Sequence, residues 1–399
     1  MLTTGLDGDF SFGVRRLIPV WKLRREITRL SQQLRILPEA FYEPFIQHNH
    51  KRKLEKGFPV ITGQIAPQGK FALLVIYQKQ SVRSSILEFC RHVTGQGYAP
   101  FVVSNAPLSN DTIDGLRAVV WKLMIRPNVG YDFGGYRDGL LTLKKQDVAL
   151  QRVLMMNDSV WYPLRPSDTL IQRLEATDAD VAGTVLRGGK EHQFLESYCY
   201  LLKERCLESA AFWEFWSTYR LTANKYKVIR RGERGHSTAL IGSGLRVDGL
   251  FTESEFLERL TLFSDRELEQ TLRYAAFPQT ELRLASERLL EAPRDFNWRD
   301  NVLQHVRHCL EKNQFYSSFP YASARIFDYP VLKTSSDMVA RQWRRAYLRA
   351  INEGALERVF EDAYTEIRNS VRRDFGTEPR ELSDSSSHQT TRRTKSDAS

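Results

Sequence analysis

The sequence predicts an α/β fold built on a mostly parallel sheet with helices on both faces, followed by a mainly helical C-terminal region. Three observations carry this. From Lys70 onward, short apolar runs alternate with helical patterns, the signature of strand-helix-strand units. The run Val153-Leu154-Met155-Met156 is continuously apolar, as a buried central strand is, and it ends in Asn157-Asp158-Ser159. From about Asp265 the apolar residues recur at helical spacing instead. A carboxylate that ends a buried strand lies at the sheet's carboxyl edge, where open α/β folds bind ligands.

The elements follow in order. Val14–Leu37 places Leu17, Trp21, Ile27, Leu30, Leu34 and Leu37 at roughly helical spacing with Arg and Lys between them, beginning near Pro19. Such a stripe either packs on the protein's own core or a partner helix, or lies in a membrane interface. Phe71–Tyr77 reads as a buried strand and Ser81–Thr94 as a helix stopped by Gly95 and Gly97. Tyr98–Asn105 and Val119–Arg126 are further strands, with a short helix over Asp111–Ala118 between them. A glycine-rich turn with Gly130, Gly134 and Gly135 follows, giving way to a short helix-like segment. Asp132, Arg137 and Asp138 sit among those glycines, unusual for a turn that only connects.

After the Asn157-Asp158-Ser159 strand come a helix over Ser167–Glu175, a strand over Ala179–Leu186, a basic loop at Arg187–Lys190, and a strand over Ser197–Leu202. In Ser209–Tyr219 the aromatics Phe212, Trp213, Phe215 and Trp216 read as core or interface, with a sugar platform as the alternative. Glu233 and His236 then lead into another helix. Helical runs around 266–276, 281–292 and 298–313 precede a charged helix from about Ser336 to Arg368. The chain thus divides into a basic, partly helical extension (1–66), an α/β domain (67–262), a mainly helical region (263–375) and a disordered tail (376–399).

Composition bounds the partners. At 399 residues and 42% hydrophobic, the chain can bury a sizeable core. A net charge of +10 favours an anionic partner such as a nucleotide, a nucleic acid or an acidic lipid surface. The chain carries no motif of a nucleic-acid-binding fold, and nucleic acid is not expected as a partner. The four cysteines form no Cys-x-x-Cys pair, which favours reduced thiols over a zinc site. The N-terminus lacks a secretory signal's apolar core, and no segment approaches the roughly 20 apolar residues that span a bilayer. A cytoplasmic location is expected, free or peripheral on the inner face of the membrane.

Taken together, the segment from Asn128 to Gly139 (NVGYDFGGYRDG), Val153–Val160 (VLMMNDSV) and Ser197-Tyr198 resemble the rhamnan synthesis protein F family, with a looser likeness at Asn313 and Phe319-Pro320-Tyr321. The likeness covers roughly residues 70–335. It implies a GT-A-like, Rossmann-type fold and a bacterial glycosyltransferase of cell-surface polysaccharide assembly. It further implies a nucleotide-sugar donor such as dTDP-L-rhamnose and a lipid-linked glycan acceptor. The alternative is a non-catalytic, GT-A-like scaffold or donor-binding module.

The residues suit that chemistry. A leaving diphosphate needs a divalent cation or basic side chains to offset its charge. Mg2+ or Mn2+ takes hard oxygen ligands, and Asp158 is the candidate metal ligand. Donor binding is expected at Asn128, Gly130, Asp132, Gly134, Arg137, Asp138, Asn157 and Ser159. Inverting transfer needs a base, for which Glu233 and His236 are the candidates. The bland alternatives are a strand-end cap for Asp158, a solvated ion pair for Glu233, and packing or capping for His236.

Overall fold

The computed structural model describes residues 42–146, 148–188 and 193–376. The chain divides into two compact units, Met1–Arg52 and Lys53–Ser399. Of the first unit, residues 42–52 are described and are helical. The expected helix over Val14–Leu37, residues 189–190 of the basic loop, and residues 377–399 of the tail lie outside the described residues.

The second unit contains twelve described strands. They are β1 (Val60–Thr62), β2 (Lys70–Ile76), β3 (Ala99–Ser104), β4 (Lys122–Ile125), β5 (Arg152–Asn157), β6 (Val160–Trp161), β7 (Val181–Gly183), β8 (Leu186–Arg187), β9 (Phe194–Leu195), β10 (Cys199–Lys203), β11 (Val247–Gly249) and β12 (Leu332–Lys333). Eight form one sheet in the order β1-β4-β3-β2-β5-β10-β7-β11. Only β1 and β10 run against the other six, so the sheet is mostly parallel.

β2 shows why the sheet is covered on both faces. Its alternate residues Ala72, Leu74 and Ile76 pack with Ile86, Phe89 and Val93 of the helix Ser84–Gly95. The intervening Phe71, Leu73 and Val75 pack with Phe133, Tyr136 and Leu140 of the helix Tyr131–Lys144. A strand buried on both faces reads as a continuous apolar run, which is what Phe71–Ile76 is.

The glycine-rich segment is helical for most of its length, not a turn. Gly130 sits at the helix's N-terminal cap with φ of 85°, a conformation that favours glycine. Gly134, Gly135 and Gly139 lie inside the helix. A Cβ on Gly135 would come within 2.6 Å of Val75 Cγ1, and one on Gly139 within 2.6 Å of Leu73 Cδ1. These glycines let the helix lie close on β2.

The helical C-terminal region packs into the core of the sheet. Its Phe315, Phe319, Phe327 and Trp343 join the same buried cluster as Leu74 and Met156. β12 pairs with β6 directly after the Asn157-Asp158-Ser159 strand end. The expected single helix over Ser336–Arg368 is two, Met338–Asn352 and Glu361–Phe375. Gly354, at φ of 71°, follows the first of them, where a left-handed residue stops helix propagation. All four cysteines are buried and free. Among the described residues, no helix is long and apolar enough to cross a membrane.

Candidate active site

β2 and β5 are parallel neighbours, so their last residues lie side by side at the carboxyl edge. β10 runs the other way, and Cys199 pairs with Met156. The residues just before β10, Glu196 to Tyr198, therefore lie at that same edge. The helix Tyr131–Lys144 begins over it, with Asp132 in its first turn.

Asp158 is tied into the strand ends. Its Oδ2 accepts from the Tyr77 backbone N–H at 3.0 Å and from Gln78 Nε2 at 2.9 Å. Its backbone N–H donates to Val75 O at 3.0 Å, and its carbonyl accepts from Arg83 and from the Thr334 hydroxyl. The buried Asn157 is the organiser beside it. Its Nδ2 donates to Asp132 Oδ2 at 3.2 Å, and its Oδ1 accepts from the backbone N–H and hydroxyl of Ser159.

Glu233 comes from a later helix. Residues Lys225–Gly242 are continuously helical, and Ile229–Arg234 adopt a π-helical turn of the kind frequent at functional sites. Gly232 fits that turn against Phe133, whose ring a Cβ at 232 would meet at 2.7 Å. The next residue, Glu233, accepts a hydrogen bond from Ser197 Oγ at 2.7 Å.

The electrostatics are those of a crowded acidic site. Burial, then the charges of Asp158 and Glu233, push the Asp132 carboxyl up to about 7, with Lys225 opposing. Burial raises the Glu233 carboxyl as well; the Ser197 hydrogen bond opposes this, the Glu196 charge adds to it, and Lys333 and Arg187 counter. Carboxylates raised above their ordinary values beside other charged groups are candidate acid-base groups.

The structure thus gathers Asp132, Asn157, Asp158, Ser159 and Glu233, and sets the other expected residues apart. Asn128 is exposed in the loop before the helix. Gly130 and Gly134 shape the backbone, and a Cβ on Gly134 would fall 2.0 Å from Val129 O. Arg137 and Asp138 are corrections: both are buried. Asp138 Oδ2 accepts from Arg126 Nε at 2.6 Å, while Arg137 donates to Trp216 O at 3.1 Å and to Asp138 Oδ1 at 3.3 Å. Arg126 also donates to Asn105 and to Val129 O, so this network fixes the chain leading into Asp132.

His236 is the second correction. Its ring is buried among Tyr200, Phe212, Phe215 and Trp216, with ring centroids between 5.0 and 6.2 Å away. Burial lowers it to about 3, and Nε2 has no hydrogen-bond partner among the described residues. A base must reach its substrate, and this ring is walled in by aromatic side chains. The aromatics of the helix Ala210–Thr218 are core, with no sugar platform among Phe212 and Trp216.

Sequence reasoning passed over Ser197 as a site residue, and also Glu196, Lys225 and Lys333. Ser197 and Glu196 precede an apolar strand, and only its antiparallel direction brings them to the edge. That direction leaves no mark in a local pattern.

For a divalent cation the fit rests on Asp132 and Asp158. Mg2+ and Mn2+ sites commonly use one or two protein carboxylates and fill the rest with phosphate and water oxygens. The raised Asp132 carboxyl fits this set, because a cation between the two carboxylates would relieve their repulsion. Among the described residues, no group of three His, Cys, Asp or Glu could hold a metal by itself. Asp158, half engaged by the end of β2, would share the ion with Asp132.

Fold and site define an α/β protein with a mostly parallel sheet and an acidic cluster at its carboxyl edge. The model of the rhamnan synthesis protein F family matches residues 101–267, a span that includes Asp132, Asn157, Asp158, Ser197 and Glu233, and bears out the resemblance. Uncharacterized protein y4gN of Sinorhizobium fredii is 27% identical over 263 residues, covering 65% of this chain and 69% of that protein. Among solved structures, the mannosyltransferase PcManGT from Pyrobaculum calidifontis in complex with GDP-Man and Mn2+ aligns over 85% of this chain and 96% of its own. Its identity is 11% and its TM-score 0.27.

Proposed function

We propose that this chain is a glycosyltransferase that moves a sugar from a nucleotide-sugar donor to a glycan acceptor with inversion. The observation that carries the reading is the meeting of Asp132, Asp158 and Glu233 at the carboxyl edge of the sheet, inside the span that resembles rhamnan synthesis protein F. From that resemblance we assign L-rhamnose as the sugar, dTDP-rhamnose as donor, and a lipid-linked cell-surface polysaccharide as acceptor. We place the reaction on the cytoplasmic side of the membrane.

In this reading Glu233 removes the proton from an acceptor hydroxyl, whose oxygen attacks the anomeric carbon. The bond from that carbon to the donor phosphate breaks, and the nucleoside diphosphate leaves with the electron pair. Ser197 holds Glu233 in position, and its hydrogen bond keeps the carboxylate form available. Asp132 and Asp158, spaced by Asn157, would hold Mg2+ or Mn2+, which when bound offsets the charge of the leaving diphosphate. Ser159 and Asn157 shape the edge on which the donor rests.

The test is Glu233→Gln, which keeps the shape and the Ser197 contact but removes the base. Transfer is expected to fall about 100-fold or more, the scale of a lost general base, with donor binding and melting temperature nearly unchanged. Full activity in this variant would refute the assignment. A second reading, a donor-binding scaffold without turnover, draws on the single acid in the Asn157-Asp158-Ser159 strand end. Donor binding with no transfer to any acceptor would favour it.

A further inference from the structure

We propose that a pocket near Glu233 is a phosphate-binding subsite, taking the diphosphate or phosphate ester of one of the two substrates. The proposal rests on the transferase reading above and adds a site to it. The pocket has a volume of about 280 Å3. Arg187, Lys312 and Lys333 line it with Tyr316 and Trp343, and its one carboxylate is Asp337.

Three observations select an anion. First, neither Lys312 nor Lys333 forms an ion pair with a described residue, and Lys333 Nζ instead lies 4.7 Å from the centre of the Tyr198 ring. Second, the Asp337 carboxylate accepts from Ser335 Oγ at 2.6 Å and caps the helix Met338–Asn352 through the Ala340 N–H at 3.1 Å, so the nearby Lys333 acts on it only through its charge, with no direct bond. Third, the buried Glu196 braces the wall, pairing with Arg187 at 3.3 Å and accepting from the Tyr316 hydroxyl. That contact fixes the guanidinium's direction while leaving other donors of the group for a ligand.

Position ties the pocket to the reaction. Arg187 of the pocket pairs with Glu196 at 3.3 Å, and the next residue, Ser197, donates to Glu233 at 2.7 Å, so the pocket lies two side chains from the proposed base. Size limits the occupant. At about 280 Å3 the pocket has room for a phosphate group and its ester substituent. Tyr316 stacks on Tyr329 at 5.2 Å and tilts against Trp343 at 5.4 Å, so the aromatic wall behind the pocket is a packed part of the core.

The experiment is calorimetric titration of the full chain with inorganic pyrophosphate in EDTA, at constant ionic strength. One-to-one binding is expected, weakened at least ten-fold in the Lys312→Ala/Lys333→Ala double variant, with sulfate in the same buffer failing to compete. Lys312 is exposed and Lys333 half-buried, so the fold is expected to persist, checked by an unchanged melting temperature. If dTDP or UDP displaces the pyrophosphate, the pocket holds the donor's diphosphate; if both bind together, it holds the acceptor's phosphate. Absence of binding, or equal affinity in the double variant, would overturn the proposal. Nucleotide binding that depends on Asp132 but comes without pyrophosphate binding would remove the pocket and leave the transferase reading intact. Pyrophosphate binding here with no nucleotide bound anywhere would do the reverse.

Discussion

At the scale of single residues, burial and two neighbouring carboxylates work against an ionised Asp132. Its carboxyl is raised to about 7 by burial and by Asp158 and Glu233. The sign follows from linkage. Between its ordinary value near 3.8 and about 7 the folded state binds more protons than the unfolded state, so this group makes stability fall as pH rises through that window. Asp132→Asn is therefore expected to stabilise the protein at pH 8, by on the order of a few kcal/mol, and to change little at pH 4. Melting curves at the two pH values check this, and an equal effect at both would remove the electrostatic account. His236 behaves oppositely. Its folded value, lowered to about 3, gives stability that is present above about 6.5 and lost as pH falls toward 3. His236→Phe should keep transfer activity and reduce acid sensitivity, whereas loss of activity with an intact fold would restore the ring to catalysis.

At the scale of elements, the helix Tyr131–Lys144 carries two jobs on two turns. Its first turn presents Asp132 to the edge, and the next buries Arg137 and Asp138 against Arg126. Asp138→Ala would leave the Arg126 guanidinium without its buried partner, a change that costs about 3–5 kcal/mol. Chemical denaturation should show this loss, and Asp138→Ala combined with Arg126→Met should recover part of it. The same element shows what was legible in the sequence. The strands β2, β3, β5 and β10 were plain because doubly buried strands are continuously apolar, and the edge position of Asp158 followed from where β5 ends. The glycines signalled close approach, yet sequence cannot say whether a ligand or a neighbouring strand approaches; here it is β2. Arg137 and Asp138 among the glycines read as donor-binding for the same reason, although Asp138 is fully buried. β1, only three residues long, and the short β11 escaped because so few residues carry too little pattern.

At the scale of the whole molecule, the helical C-terminal region lines the pocket proposed as a phosphate subsite. It supplies Lys312, Lys333 and the aromatic pair Tyr316 and Trp343, and it shares its core with one face of the sheet. The central claim is that the carboxyl edge binds a nucleotide-sugar donor through Asp132 and Asp158. The most direct test is calorimetric titration of the full chain with dTDP, UDP and GDP, with and without Mn2+, in the wild type and in Asp132→Asn. One nucleotide should bind at one-to-one stoichiometry, more tightly with Mn2+, and the Mn2+ enhancement should disappear in the variant. Nucleotide binding that is identical in both proteins, or none in either, would contradict the account.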